Sequence, residues 1–333
     1  MGREAFMNTL LIPCLGRRLV NGIPQYVGRH PNGKLLIERC IEGINCSLYS
    51  RILIAILKED EERYQAGSII LSELTGYPVE LIYLDEMTSG PAETVYKVLK
   101  IADVTGSVVI KDADNYLKMG EQPCGNFIAG LDLNTWNRDI HNLRNKSFLI
   151  VNEQKNILDI IEKQVRSDVI CLGLYGFQRS KDFITAYEHL NDPSYPITKL
   201  YVSHVISYLI GYSGRVFHYV PCTEYENWGD ERLWREMQED YSLYFLDLDH
   251  LFDKSEFVSE EEICRNIRLL QDRGASFIGY SVKGRDQDIG ALQVFSSKDI
   301  RLTGVVRNCP WSENALVIHS GMELNNFYHK GFE

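Results

Sequence analysis

The stretch VVIKDADNYLK, residues 108–118, decides how this chain is read. Its apolar start predicts a buried strand, and that strand runs into two carboxylates one residue apart, Asp112 and Asp114, followed directly by Asn115. Upstream, short apolar runs alternate with longer amphipathic ones: LLIPCL, KLLIERCIEGI, RILIAILKE, EERYQAGSIILSELTG, ELIYLD and AETVYKVLKIAD. Strands that alternate with helical patterns predict βαβ units and an α/β fold with a mostly parallel sheet and helices on both faces. Ligands of such sheets sit beyond the carboxyl ends of the strands, which places Asp112 and Asp114 at the rim of a site. An Asp-x-Asp pair at a strand end suits Mg²⁺ or Mn²⁺, hard cations that take oxygen ligands and bridge to phosphates. By spacing alone, DADN reads equally well as a solvated turn.

The chain has 333 residues, 44% of them hydrophobic, enough for two domains with cores of their own. Its net charge of -11 and pI near 5.3 argue against general nucleic-acid binding, which needs an excess of Lys and Arg. Eight cysteines are scattered, with no CxxC pair and no zinc-ligand spacing, and read as reduced cytosolic thiols. The N-terminus carries no long apolar signal region, and the window VSHVISYLIGYSG is too short and polar to span a bilayer, so a cytoplasmic protein is expected.

A second α/β pattern begins after the charged stretch GDERLWREMQED: strand-like YSLYFLDLDHLF, helix-like EEEICRNIRLLQDRG and strand-like ASFIGYS. It predicts a domain boundary near residue 240, with domains at 1–240 and 241–333. The amphipathic EEEICRNIRLLQDRG is expected to pack on the second sheet, and DERLWREMQED to form a solvated connecting helix. His204 and His218 lie in apolar stretches and are expected to be satisfied core histidines.

Several segments, in order, resemble sugar nucleotidyltransferases of the GT-A-like, Rossmann-like α/β class (NDP-sugar pyrophosphorylases). LLIPCLG with GIPQYVGRHPNGKLLIERCIEGI resembles their first strand, signature loop and first helix, TSGPAETVYKVL their base-recognition turn, and VVIKDADNYLK their metal-site strand. IIEKQVRSD resembles their Glu-Lys phosphate-contact segment, CLGLYGF their Gly-aromatic strand, and YENWGDERLW their late acidic element. The likeness covers about residues 8 to 238. It implies that Asp112, with or shared by Asp114, binds Mg²⁺ as a sugar phosphate attacks the nucleotide α-phosphate and pyrophosphate leaves. It further implies that Lys163 contacts the acceptor phosphate, that Gly90 admits the nucleotide base, and that Gly173 lines the sugar pocket. Read without the resemblance, Lys163 is a surface lysine in a charged run.

The chain departs from that pattern in three places. Only Gly16 precedes Arg17 and Arg18 where the family's loop is richer in glycine to cradle a triphosphate. Gln25 stands where a lysine usually follows Pro24. Asn227 stands at the second metal ligand's position, which leaves Glu226 or Asp230 as the acid that would take over.

YFLDLDHLF resembles motif I of haloacid dehalogenase-like (HAD-like) phosphatases, which implies Asp247 as nucleophile and Asp249 as general acid. The turn at Gly274 and the strand ending at Ser281 resemble that superfamily's second motif, whose hydroxyl orients the phosphoryl group. Cys309-Pro310 and His319-Ser320 stand where the superfamily places a Lys-Pro and a pair of acids, so the smaller domain is expected to be degenerate.

Together these readings predict Mg²⁺-dependent nucleotidyl transfer from a nucleoside triphosphate to a sugar phosphate or similar phosphorylated small molecule. The resemblance places that reaction in surface or capsular polysaccharide synthesis. Two rivals stay open: a glycosyltransferase using a nucleotide-sugar donor, and a non-catalytic nucleotide sensor with two degenerate domains.

Overall fold

The computed structural model describes residues 9–16, 19–20, 23–28, 30, 34–120, 123–136, 140, 143–194, 199–229, 232–234, 243–253, 258–272, 275–283, 290–306 and 317–324. The chain forms two compact units, one of residues 1–16 and 37–226, the other of residues 17–36 and 227–333. Residues 17–36 group with the C-terminal part through Trp228: Gln25 Nε2 donates to its carbonyl at 2.5 Å, and its buried indole meets the His30 ring edge-on.

The first unit is built on β1 (Thr9–Pro13), β4 (Arg51–Leu57), β5 (Val79–Leu84), β6 (Val108–Lys111), β7 (Asn115–Met119), β8 (Phe127–Asp132), β9 (Phe148–Val151), β10 (Asn156–Ile161), β11 (Val169–Phe177) and β12 (Phe217–Asn227). The short pair β2 (Leu19–Val20) and β3 (Ile23–Pro24) belongs to the second unit. The strand order is β5-β4-β1-β6-β11-β8-β12-β10-β9, with β7 on β12. The β5-β4-β1-β6 half is parallel, and its central strands are continuously apolar because both faces are covered. Beyond β6 the sheet turns mixed: β11 runs antiparallel to both β6 and β8.

The helices of this unit are α1 (Leu36–Glu42), α2 (Lys58–Tyr64), α3 (Ala66–Glu73), α4 (Pro91–Ile101), α5 (Ser180–Leu190) and α6 (Val202–Gly211). The amphipathic run at residues 61–76 breaks into α2 and α3 at Gln65, which is left-handed (φ 55°). Glu61 caps the second piece, accepting from Gly67 N, Ser68 N and Ser68 Oγ. Val95, Val98 and Leu99 of α4, Phe183 of α5 and Val205 and Ile206 of α6 share one core with Ile110 and Phe177.

In the second unit, β13 (Leu243–Asp247), β14 (Ser276–Tyr280), β15 (Gly304–Val306) and β16 (Val317–Ile318) form a parallel sheet of order β15-β14-β13-β16. Helices α7 (Glu260–Gln271) and α8 (Gly290–Ser297) accompany it. As the pattern predicted, α7 packs its apolar face on the sheet, Ile263, Ile267 and Leu270 meeting Leu246 and Phe277. Ser259 caps it by accepting from Glu262 N, and three glutamates fill its first turn.

Three expectations need correction or limits. His218 is exposed on β12, because in this strand it falls on the face opposite buried Phe217. His204 is half-buried at the start of α6, where its Nδ1 accepts from Tyr201 N at 3.2 Å and burial holds it below the usual imidazole range. Of the charged run at residues 230–240, only 232–234 are described; they are helical, and Trp234 is buried rather than solvated. No helix among the described residues is long and apolar enough to cross a membrane.

Candidate functional site

The strand that opened the reading ends at Lys111, and the two acids occupy the turn between β6 and β7. Lys111 is wholly buried, and its ammonium donates to Asp112 O (2.6 Å), Asn115 O (2.9 Å) and Asn115 Oδ1 (2.8 Å). One buried cation therefore ties both ends of the DADN turn, and its charge is met by three oxygens at the sheet edge. Cys40 Sγ adds a contact to Asp112 O at 3.3 Å.

Asp112 faces Gly173 across the β6–β11 edge. Its N–H donates to Gly173 O at 2.7 Å, just past the register pair of Lys111 with Leu174. The β11–β8 register shifts between Cys171 and Tyr175, and Gly173 in that irregular stretch has φ +73°. A Cβ at Gly173 would lie 2.2 Å from Asp112 Oδ2 and 2.8 Å from Asp112 Cβ. Glycine is thus required twice over, by backbone conformation and by the room it leaves for the carboxylate.

Burial, followed by the charge of Asp114, pushes the Asp112 carboxyl up to about 7; Lys111 and Lys146 oppose that rise and Glu162 adds to it. Burial alone would lower Lys146, but the Tyr225 hydroxyl, Asp114 and Asp112 outweigh it and hold the ammonium above its ordinary range. Lys146 Nζ donates to Tyr225 Oη at 2.7 Å. The site is therefore a partly buried cluster of mixed charge, with Asp112, Asp114 and Glu162 against Lys111 and Lys146.

Glu162 and Lys163 follow the end of β10. Glu162 Oε2 accepts from Ser147 Oγ and Ser203 Oγ, each at 2.5 Å, which bolts the turn to the start of α6. Lys163 has a left-handed backbone (φ 54°), unusual for a side chain with a Cβ, and its N–H donates to Lys146 O. Its exposed ammonium donates to Tyr201 Oη at 2.6 Å and lies 4.3 Å from the ring centroid.

Gly90 is extended, so its backbone conformation alone does not demand glycine. A Cβ there would come within 2.7 Å of Leu200 O, and Ala92 N donates to that same carbonyl. Gly16 is exposed, and a Cβ added to it would meet nothing within 4 Å. Arg17, Arg18, Asp230, Gly274, Cys309 and Pro310 lie outside the described residues. Glu226 is held by Arg39, whose Nη2 and Nε reach its two oxygens at 2.8 and 3.2 Å; Arg39 also pairs with Glu42 and lies 3.6 Å over the Tyr116 ring. Asn227 Oδ1 accepts from Gly229 N. Among the described residues no group of three or more His, Cys, Asp or Glu is placed to hold a metal ion.

The second unit gathers its own cluster at the carboxyl ends of its strands. Asp247 is buried, and its Oδ2 lies 3.0 Å from Tyr280 Oη, 3.0 Å from His250 Nδ1 and 3.8 Å from His319 Nδ1. Asp249 accepts from Ser281 Oγ (2.6 Å), Val282 N (2.7 Å) and Lys283 N (3.2 Å). Burial raises Asp249, but these donors outweigh it and hold the carboxyl below its ordinary range. Lys283 Nζ lies 2.9 Å from His250 Nε2.

Of the residues singled out by sequence, Asp112, Asp114 and Gly173 lie at one strand end, whereas Lys163 follows Glu162, whose charge acts on Asp112, and turns its own ammonium to Tyr201. The sequence reading missed Lys111, Lys146, Tyr201 and Arg39. A lysine inside the apolar run VVIK was the one available signal, since a charge in a buried strand needs a partner.

No family model matches the sequence, and no curated protein matches it significantly. Solved structures do match in fold. The nucleoside-diphosphate-sugar pyrophosphorylase from Vibrio cholerae RC9 is similar at TM-score 0.54 and 19% identity, over 70% of this chain and 100% of that one. The inositol-1-phosphate CTP transferase from T. maritima gives TM-score 0.54 at 12% identity, over 70% of this chain and 97% of that one. A UDP-glucose pyrophosphorylase complexed with UDP-glucose gives 0.53 at 12%, over 71% and 98%. About seven tenths of the chain therefore takes a fold seen in nucleotide-sugar pyrophosphorylases and a nucleotidyltransferase.

Proposed function

We propose that the chain carries out Mg²⁺-dependent transfer of a nucleotidyl group from a nucleoside triphosphate to a sugar phosphate or similar phosphorylated small molecule, releasing pyrophosphate. The observation that carries this reading is Asp112 beside Asp114 at the end of a parallel strand, in space kept open by Gly173, with the charges of Lys111, Lys146 and Glu162 acting on it. The fold's likeness to a pyrophosphorylase complexed with UDP-glucose supports the substrate class. On this reading residues 1–240 act as the transferase domain and 241–333 as a HAD-like domain. The product would feed surface polysaccharide synthesis.

The donor set suits Mg²⁺: Asp112 and Asp114 offer hard oxygen ligands, and this ion is commonly held by one or two carboxylates together with substrate phosphates. When bound, it would offset the negative charge that builds on the phosphates during transfer. Lys163 binds the acceptor phosphate and orients its oxygen toward the α-phosphorus, while Lys146 counters charge beside the carboxylates. Gly173 keeps Asp112 at the strand end, and Gly90 brings the turn before α4 close to residue 200.

The test is pyrophosphate release by the full chain with each nucleoside triphosphate and a panel of sugar 1-phosphates. One triphosphate is expected to support turnover that Asp112→Asn abolishes while the melting profile is kept. Turnover that survives Asp112→Asn, or no turnover with any pair, overturns the reading. A sensor role gains support from Arg39, which occupies both oxygens of Glu226, and from Asp249, whose acceptors are taken by the 281–283 turn. It predicts selective nucleotide binding without pyrophosphate release.

A further inference from the structure

In the second unit, His250 lies between two groups that together select its proton arrangement. Its Nδ1 is 3.0 Å from Asp247 Oδ2, and its Nε2 is 2.9 Å from Lys283 Nζ. A carboxylate only accepts and an ammonium only donates. A neutral imidazole between them therefore has one consistent form: Nδ1–H donates to Asp247, and the Nε2 lone pair faces Lys283. The His250 side chain is 48% exposed and that of Asp247 only 10%, so a nucleophilic nitrogen sits at the surface with a buried acid behind it.

Asp247 is itself engaged on both oxygens. Its Oδ1 accepts from Asp249 N at 3.0 Å, and its Oδ2 accepts from Tyr280 Oη as well as from His250. Tyr280 Oη, which gives its proton to Asp247, accepts in turn from His319 Nδ1 at 3.1 Å. Three of a carboxylate's roughly four lone-pair sites are thus taken, and its charge is left to act on His250.

The surroundings also select the electrophile. Attack on a carbonyl builds an oxyanion that needs backbone N–H donors. Here Val282 N and Lys283 N both donate to Asp249 Oδ2, while Ser281 Oγ donates to its Oδ1. What remains beside Nε2 is the Lys283 ammonium. A lone-pair nitrogen next to a cation suits an electrophile that already carries negative charge, a phosphoryl group.

We propose that His250 is a phosphoryl-acceptor site, modified on Nε2 by a small acyl phosphate. The Nε2 lone pair forms the N–P bond as the P–O bond to the acyl group breaks, and a carboxylate leaves with that electron pair, needing no proton. The Nδ1 proton stays on the ring, which becomes cationic, and Asp247 balances the new charge. Lys283 turns from Nε2 to the phosphoryl oxygens. Asp247 is then a positioning residue for His250, and the site does not depend on the proposed nucleotidyl transfer.

The experiment is incubation of the full-length protein with acetyl phosphate, with the adduct mapped by tandem mass spectrometry and tested in acid, alkali and hydroxylamine. The expected product carries its phosphoryl group on His250, is stable in alkali and is lost in acid. His250→Gln should abolish labelling, whereas His218→Gln, which removes an exposed histidine of β12, should leave it unchanged. Lys283→Met should slow labelling about tenfold, and Lys283→Arg should recover most of it. Asp247→Asn should slow it by at least about tenfold and move the imidazole proton of His250 from Nδ1 to Nε2 in nitrogen NMR spectra at about pH 8.5, a change that loss of packing alone would not produce. Because the adduct is mapped on the wild type, the outcome stands even where a variant fails to fold. A hydroxylamine-labile phosphoryl group on Asp247, label spread over other histidines, or no label on the wild type overturns the proposal.

Discussion

Gly173→Ala puts the geometry of the acidic site to its hardest test. Two costs combine at this position. An L-residue at φ +73° pays about 1–2 kcal/mol relative to glycine. The new methyl would also lie 2.2 Å from Asp112 Oδ2, 2.7 Å from its Cγ and 2.8 Å from its Cβ. Rotating the carboxylate moves the first two atoms but not the third, so the strand-end backbone has to shift, at about 1–3 kcal/mol more for overpacking. The total of about 2–5 kcal/mol corresponds to a melting shift on the order of 10 °C for a unit of this size. The assay is thermal unfolding of the full chain followed by near-UV dichroism, alongside nucleotide binding by calorimetry in Mg²⁺. The expected result is a lowered first transition and nucleotide binding weakened as far as by Asp112→Asn. Gly16→Ala, which adds a methyl where nothing lies within 4 Å, should change neither. A Gly173→Ala protein that melts within about 1 °C of wild type and binds nucleotide normally would refute both the left-handed strain and the contact with Asp112.

Other perturbations follow from the same cluster. Because burial raises the Asp112 carboxyl to about 7 in the folded chain, the native state binds a proton that the unfolded state has released. In metal-free buffer, stability should therefore fall as pH rises between about 4 and 7 and level off above; denaturant titrations should show Asp112→Asn flattening that fall. Lys111→Met leaves Asp112 O, Asn115 O and Asn115 Oδ1 without their buried donor, for an expected loss of about 2–4 kcal/mol by urea unfolding. It should also shift the Asp112-linked fall to higher pH, since one of the opposing cations is gone. Asp249→Ala removes the acceptor for Ser281 Oγ and two backbone N–H groups, and should lower the second unit's stability by about 1–3 kcal/mol. Its depressed carboxyl contributes at pH above about 4 and stops contributing as pH falls through its folded value, so wild type and variant should converge in acid.

The α/β architecture was legible because burial on both faces makes strands such as RILIAIL continuously apolar and easy to separate from amphipathic helices. The same pattern fixed α7, whose Ile263, Ile267 and Leu270 recur at helical spacing and form its buried face. It also placed Asp112 and Asp114 at a strand end, since the apolar run simply stops there. The amphipathic run at residues 61–76 forms two helices rather than one continuous piece, because Gln65 is left-handed and Glu61 caps the second helix at Gly67 and Ser68. His218 misled because its neighbours are apolar, whereas in an extended strand adjacent side chains point to opposite faces.

Local pattern thus determined which residues could form strands, helices and an acidic strand end, because period and hydrophobicity are carried by near neighbours. Only the tertiary structure decided what surrounds the acids. Lys146, Glu162 and Gly173 come from segments tens of residues beyond Asp112, and their meeting depends on the antiparallel return of β11 along β6 and on the docking of α6 against the Glu162 turn. Long-range pairing, unlike periodicity, is not carried by near neighbours, and it is that pairing which turns a pair of aspartates into a partly buried site of mixed charge.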